Sequence, residues 1–399
     1  MNILMTIWGD YPPDARVRKQ AKTLLNAGHN VRILCESDSP GIENIKGATV
    51  HRVYRPDPGH NLRDVPRSIE LLLKNVDPLW RDEVQNEIKK NVDIIHVHDL
   101  PQARTVLQES NVPVILDLHE NYRKAIYHYR PDLNFWKILT NPKILARRVC
   151  KPPWRYHWEQ KFAMKNADHV LAVVPEARDE YIRSGIDPEA VSVVSNTVDL
   201  EWFDRHIPNS DDLYSEEFTL TYVGSVSGPH RGLDTVIRAI PRIKKEIPNV
   251  LFRIAGGGQL NDLEDLANNL GIRDHIEFTG WIDETEFPKY MSSANIGLLP
   301  HRSNGHTNTT IAHKLFQYMA AELPVIVTDT RAVGRVVREA SAGVVVPPEE
   351  PNAIADAAIN IFQSEVGRIY GKNGRNAVES KYNWSHDSKQ LLKVYDKLC

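Results

Sequence analysis

Short apolar runs alternate with amphipathic stretches along the whole chain. Residues 3–8 read as a strand, and Val17, Ala21, Leu24 and Leu25 recur at helical spacing up to Gly28. The next apolar run is 31–35, so the chain opens as strand, loop, helix, strand, which predicts a doubly wound domain. Further strands are predicted at 92–99, 112–122, 166–174 and 191–194. From 205 to 217 the pattern lapses into Pro208, Asn209 and consecutive acids, a linker composition. It restarts at 218–223 and continues at 250–255, 275–282, 294–299, 325–327 and 343–347. Leu391, Leu392 and Tyr395 then lie at core spacing on a last helix. The expected class is α/β, with domains at 1–200 and 218–380, a linker at 201–217 and a terminal helix at 381–399.

Chemistry is expected where strands end. Leu298, Leu299 and Pro300 close a strand, and a polar loop, 301–306, follows. Thr309 and Thr310 precede Ile311, Leu315, Tyr318 and Met319, so a helix with a hydroxyl cap is expected to open near Thr309. A helix N-terminus at the carboxyl end of a strand offers free N–H groups and positive partial charge, which suits a pyrophosphate. The plainer reading is one more βαβ unit with an ordinary cap. Gly224, Gly228 and Gly232, and the run 256–258, allow close backbone approach to a ligand. No Gly-x-Gly-x-x-Gly occurs, so dehydrogenase chemistry lacks its main cue. His96 and His98 share one face of a strand, but no third metal ligand is evident nearby. They are expected to be polar residues at a strand's carboxyl end.

Composition narrows the classes. The chain has 399 residues, 41% hydrophobic and 25% charged, enough for two soluble domains. A net charge of −3 gives no global argument for nucleic acid. Cys35, Cys150 and Cys399 are too far apart for a disulfide framework or a zinc site, so a reducing cytosol is expected. The start lacks a signal-peptide pattern, and no apolar run approaches the roughly 20 residues needed to span a bilayer. Residues 137–161 interleave basic side chains with Trp136, Trp154, Tyr156 and Trp158. That suits an anionic membrane surface, single-stranded nucleic acid, or a packed surface helix with snorkelling cations.

Lys314-Leu-Phe-Gln-Tyr-Met-Ala-Ala, followed by Pro324-Val-Ile-Val, resembles the donor-site helix of family-four glycosyltransferases with the GT-B fold. Those enzymes usually carry Glu, seven residues, then Glu, and the matching positions here are Thr309 and Gln317. The resemblance places Gln317 on the ribose and Thr309 facing the donor sugar. Gln317 can still donate to and accept from a diol, and its alternative is a solvated helix position. The loop from Gly224 to Gly232 resembles the donor-diphosphate loop, with Arg231 as its basic residue. Ser225 stands where an Arg is common, leaving one cation unless Arg302, His230 or Lys314 substitutes. Gly224, Ser225, Arg231, Thr310 and Ile311 are the implied phosphate set, and Trp281 and Ile282 the implied base contacts, with a core position the alternative for Trp281. Asp117-Leu-His-Glu resembles the segment whose His faces the reacting sugar, which makes His119 the catalytic candidate; its alternative is a buried, hydrogen-bonded His. Asp14-Ala-Arg16 resembles the start of the first helix, so both residues are acceptor-side candidates, Arg16 being otherwise a donor-phosphate contact or a solvated residue.

The resemblance implies two Rossmann-like domains facing across a cleft, with the last helix crossing back to the first. It implies transfer of a sugar from a nucleotide-diphosphate donor to a lipid-linked or surface-glycan acceptor, with retained configuration. The departing phosphate acts as base, without protein nucleophile, cofactor or metal, and no Asp-x-Asp is present. Lipid-linked acceptors favour the membrane reading of 137–161 over nucleic acid, at the cytoplasmic inner face. A sugar-nucleotide 2-epimerase and a nucleotide-sugar-binding pseudoenzyme are the alternatives on this fold.

Overall fold

A computed structural model describes residues 1–54, 75–129, 153–208 and 217–398. The chain divides into two compact units, Met1–Ser195 with Asp387–Cys399, and Asn196–His386. The last helix, Trp384–Leu398, starts in the second unit and ends in the first.

The first unit holds β1 (Asn2–Ile7), β2 (Asn30–Ser37), β3 (Gly41–Ile45), β4 (Ala48–Tyr54), β5 (Ile94–His98), β6 (Val114–Leu118), β7 (His169–Ala172) and β8 (Val191–Val193). They form one sheet in the order β3-β4-β2-β1-β5-β6-β7-β8, parallel except for the β3–β4 pair. β1, β5, β6 and β7 are buried nearly throughout, as strands covered on both faces must be. The antiparallel β3 is the exception: an exposed edge strand joined to β4 through Lys46 and Gly47, both at positive φ.

The second unit holds β9 (Phe218–Val223), β10 (Val250–Ala255), β11 (Ile276–Gly280), β12 (Ile296–Leu299), β13 (Val325–Thr328) and β14 (Gly343–Val346). Their order, β11-β10-β9-β12-β13-β14, is the doubly wound arrangement in which the first strand lies at the switch of direction. One core runs under this sheet through Leu220, Phe252, Ile254, Ile237 and Ile240. The switch points fall between β1 and β5 in one unit and β9 and β12 in the other, and ligands of such sheets sit beyond the strand ends there.

One helix start differs from expectation. Thr307–Thr309 is a 3-10 turn, and the helix itself is His313–Ala320, with Ala312 at its N-cap and no side-chain cap. The Thr309 hydroxyl donates to the Gly305 carbonyl at 2.9 Å and that of Thr310 to His306 at 3.2 Å. Hydroxyls bonded back into the loop stabilise the turn instead of capping the helix.

Candidate functional site

In the first unit, polar residues gather at the carboxyl ends of β5 and β6. The parallel register sets His98 beside Asp117. Asp117 is fully buried and accepts from Arg16 Nε at 3.0 Å, Arg16 Nη2 at 2.8 Å and Gln20 Nε2 at 2.6 Å. Arg16 also donates to the carbonyls of Val194 at 2.8 Å and Ser195 at 3.1 Å. At 3% exposure Arg16 is an internal cation and not a solvated helix residue. Asp14, 38% exposed, caps the first helix through Oδ1, accepting from the N–H groups of Arg16 and Val17.

Asp117 is also the third group beside His96 and His98 that sequence spacing did not reveal. Ligand atoms of the three lie within 4.8 Å of one another, as a metal site would need. Yet the bidentate guanidinium of Arg16 already neutralises the carboxylate, and Tyr395 Oη lies 2.7 Å from His96 Nδ1. The cluster is an ion-pair core. Arg16 holds Asp117 well below the usual carboxylate range against the effect of burial, while burial keeps His96 and His98 neutral.

His119 sits above this core. Its Nε2 is 3.1 Å from His98 Nδ1 and 3.3 Å from Asp117 Oδ2, and its Nδ1 is 3.4 Å from Asp99 Oδ2 and 3.9 Å from Asp14 Oδ2. Burial lowers its pKa, but Asp99 and Asp117 outweigh that and hold it at about 9. A histidine whose folded pKa is raised stabilises the unit fully below its unfolded value of about 6.5, and that contribution is lost as pH rises through about 9. Urea midpoints of the full chain are thus expected to fall between pH 6.5 and 9.5, and His119→Gln should flatten that fall. Equal slopes in both proteins would contradict a charged His119.

In the second unit, Gly224 follows β9 at φ 116°. A Cβ there would lie 2.9 Å from Lys314 Nζ, and one on Gly256 would lie 2.1 Å from the Gly224 carbonyl oxygen. Only glycine permits this closeness. Lys314 Nζ stands 3.6 Å from the centroid of the Tyr222 ring. Burial and the neighbouring Arg231 push the Lys314 pKa well below the ordinary lysine value. No described carboxylate forms a salt bridge with Lys314 or Arg231, and Arg231 Nε is buried without a hydrogen-bond partner. His301, just after β12, is kept neutral by burial, Arg231 and Lys314, and its Nε2 is likewise unpartnered. Lys314 is thus a second basic group beside Arg231. Arg302 does not, being paired with Asp234 at 2.8 Å and Glu349 at 3.1 Å. Ser225 is exposed, Thr310 is extended ahead of the helix and Ile311 is buried.

Gln317 is buried, not solvated, and its Nε2 has no partner. Thr309 is buried in the loop. Trp281 is 77% exposed and so is not a core residue, while Ile282 beside it is buried. Of the basic–aromatic stretch, positions 137–152 lie outside the described residues; Trp154, Trp158, Lys161 and Lys165 are exposed on the helix Pro153–Asn166. No helix among the described residues is long and apolar enough to cross a membrane.

Residues 15–202 match the family described as Glycosyltransferase Family 4, and residues 217–364 match Glycosyl transferases group 1. The chain belongs to the family 4, group 1 glycosyltransferases. An uncharacterized glycosyltransferase of Methanocaldococcus jannaschii is 24% identical over 99% of this chain and 98% of its own. The phosphatidyl-myo-inositol mannosyltransferase of Mycolicibacterium smegmatis is 24% identical over 96% of this chain and 89% of its own. Among solved structures, sucrose-phosphate synthase of Thermosynechococcus elongatus superposes with a TM-score of 0.76 at 20% identity, covering 100% of this chain and 98% of that one. Anabaena HepE in complex with UDP gives 0.72 at 14% identity, covering 100% of both chains. This glycosyltransferase accordingly has the GT-B fold, with parallel sheets in two α/β domains.

Proposed function

We propose that this glycosyltransferase moves a hexose from a nucleoside-diphosphate donor, bound by the second unit, to a hydroxyl of a lipid-linked or surface-glycan acceptor presented by the first. The observation that carries it is the pair of Lys314, packed against Gly224 at the switch point, and Arg231 beside it, neither in a salt bridge with a described carboxylate. Two neighbouring basic groups left uncompensated form a seat for an anion, and the N–H groups opening the helix His313–Ala320 add positive potential. Gln317, with its unpartnered Nε2, suits a ribose hydroxyl, and exposed Trp281 with Ile282 suits a base. Gly224, Ser225, Thr310 and Ile311 complete the phosphate set, and Thr309 lies toward the donor sugar.

Configuration is retained by front-face attack. The acceptor oxygen bonds to the anomeric carbon as the bond to the diphosphate oxygen breaks, and the hydroxyl proton passes to the departing diphosphate. Arg231, a recharged Lys314 and the helix amides meet the leaving charge without a metal. The lipid-linked acceptor draws support from the mannosyltransferase relative named for phosphatidyl-myo-inositol and from Trp154 and Trp158 beside Lys161, which suit peripheral contact with an anionic membrane at the cytoplasmic face.

The test is a thermal-shift panel of UDP, GDP and their sugar conjugates, followed by transfer assays onto lipid-linked acceptors. Stabilisation by one base series and transfer with retained configuration are expected. Donor turnover without any acceptor would make the chain an epimerase. Binding without hydrolysis or transfer would make it a pseudoenzyme, and no binding of any nucleotide would overturn the reading.

A further inference from the structure

A cavity of about 470 Å³ lies at the amino ends of β7 and β8, along the edge of the first sheet. Asp117 and His119 stand at the carboxyl end of the parallel strand β6, so the cavity is at the opposite end of the sheet. Its walls are the helix Pro175–Arg183, β8 with the turn Pro188–Ala190 before it, and the last helix, Trp384–Leu398. All of its lining residues belong to the first unit. Arg178, Lys393 and Lys397 meet there with one carboxylate, Glu189. Lys397 Nζ donates to the Glu189 carbonyl at 2.8 Å and stands 3.5 Å from its carboxylate, which is 87% exposed. Arg178 is held in place: its Nε donates to the Val191 carbonyl and its Nη2 to the Pro188 carbonyl, both at 3.1 Å. These bonds leave Nη1 unused, and no described carboxylate forms a salt bridge with Arg178 or Lys393.

His169, also in the lining, is buried, and its Nε2 is 2.9 Å from Ser192 Oγ. Burial, and after it Lys397, lowers the ring to about 4, so it is a neutral polar group and adds no charge. Three cations and one carboxylate leave the cavity with a net charge of about +2. A phosphate monoester carries about −1.5 to −2 at pH 7 and has three strong acceptor oxygens. A guanidinium fixed at two of its nitrogens is pre-organised for such oxygens, and the lysines add mobile point charges. Val191, Val193 and Val394 give the cavity an apolar wall beside these cations, which suits an organic body attached to the phosphate. We infer that this cavity is a second anion site, which takes a phosphate monoester through Arg178, Lys393 and Lys397. It draws on no residue of the phosphate seat in the second unit, so it stands or falls apart from the donor reading. The same monoester chemistry occurs in free metabolites and in the headgroup of a phosphatidate lipid.

The probes are glycerol 3-phosphate in solution and phosphatidylcholine vesicles with and without phosphatidate, each titrated into the full chain. Lys393→Met is expected to weaken binding about 10- to 150-fold, the range for a hydrogen bond to a charged group. Its Tm should match the parent's, because Lys393 holds no described carboxylate. Lys389→Met removes the same charge from the same helix outside the cavity and should leave binding unchanged. Hydrogen exchange with glycerol 3-phosphate bound should slow in 188–193 and 387–398 and stay unchanged in 217–386. Loss of phosphatidate-dependent vesicle binding in Lys393→Met makes the ligand a lipid headgroup. Loss of glycerol 3-phosphate binding alone makes it a free metabolite. No binding of either probe, or binding of both that ignores Lys393→Met, overturns the inference. So does an equal loss in Lys389→Met, which would reduce the effect to general charge attraction. Protection confined to 217–386 overturns it as well, since the monoester would then sit in the second unit.

Discussion

Asp117→Asn should destabilise the first unit by about 3–5 kcal/mol, the range for removing one partner of a buried ion pair. The reason lies in what Asp117 holds. Arg16 gives it two hydrogen bonds, Gln20 a third, and His119 lies 3.3 Å away. Asn keeps the volume but removes the charge, leaving a guanidinium at 3% exposure with only the carbonyls of Val194 and Ser195. Those contacts tie the first helix to β6 and to the end of β8, so the loss spreads across the sheet. Replacing both residues, Arg16→Met with Asp117→Leu, should cost less than Asp117→Asn alone, because no charge is stranded. Hydrogen exchange resolved by unit would check this: protection should drop in 1–195 and stay in 217–386. Asp117→Asn with protection within about 0.5 kcal/mol of the parent would refute the ion-pair account, since changes of that size arise at ordinary surface sites.

The strands were legible because most are buried on both faces and read as unbroken apolar runs; β9 and β10 have the limits the pattern predicts. The hairpin of β3 and β4 was not, because Gly41–Ile45 is exposed and carries no apolar alternation. The family was readable from short motifs, and the loop opening at Gly224 begins where the second sheet reverses its strand order. The partner of Arg16 was not readable. It sits 101 residues away, and only the register of β5 with β6 brings Asp117 beside His98. The same non-local pairing hid the third member of the His96 and His98 cluster. The opening of the helix His313–Ala320 was misplaced for a local reason: Thr309 and Thr310 have cap chemistry, but nearer carbonyls take their hydroxyls. Burial of Gln317 was missed because Gln is mostly exposed, and a buried amide becomes noticeable only once its unpartnered Nε2 is seen.

Arg231→Ala should weaken nucleoside-diphosphate binding by about 1.5–3 kcal/mol, roughly 10- to 150-fold, while leaving the affinity for the nucleoside alone unchanged. Lys314→Ala should do the same, and the two are not independent. In the free protein Arg231 depresses the Lys314 ammonium, a burden added to burial beside Tyr222. A bound diphosphate is expected to raise the Lys314 pKa again, against the effects of burial and Arg231. Calorimetry at pH 8 in buffers of different ionisation enthalpy should register the resulting proton uptake, and Lys314→Ala should abolish it. With Arg231 gone, burial alone still depresses the Lys314 ammonium, which holds its proton more readily, so its removal should cost more in the Arg231→Ala background than in the parent. The coupling between the two changes therefore has a defined sign. Strict additivity, or proton uptake that survives in Lys314→Ala, would separate Lys314 from the phosphate seat. Loss of nucleoside affinity in either variant would move the defect from the diphosphate to the fold of the loop around Gly224. Only a selective loss, confined to the phosphorylated ligands and coupled through one proton, makes these two side chains the pair that receives the leaving group.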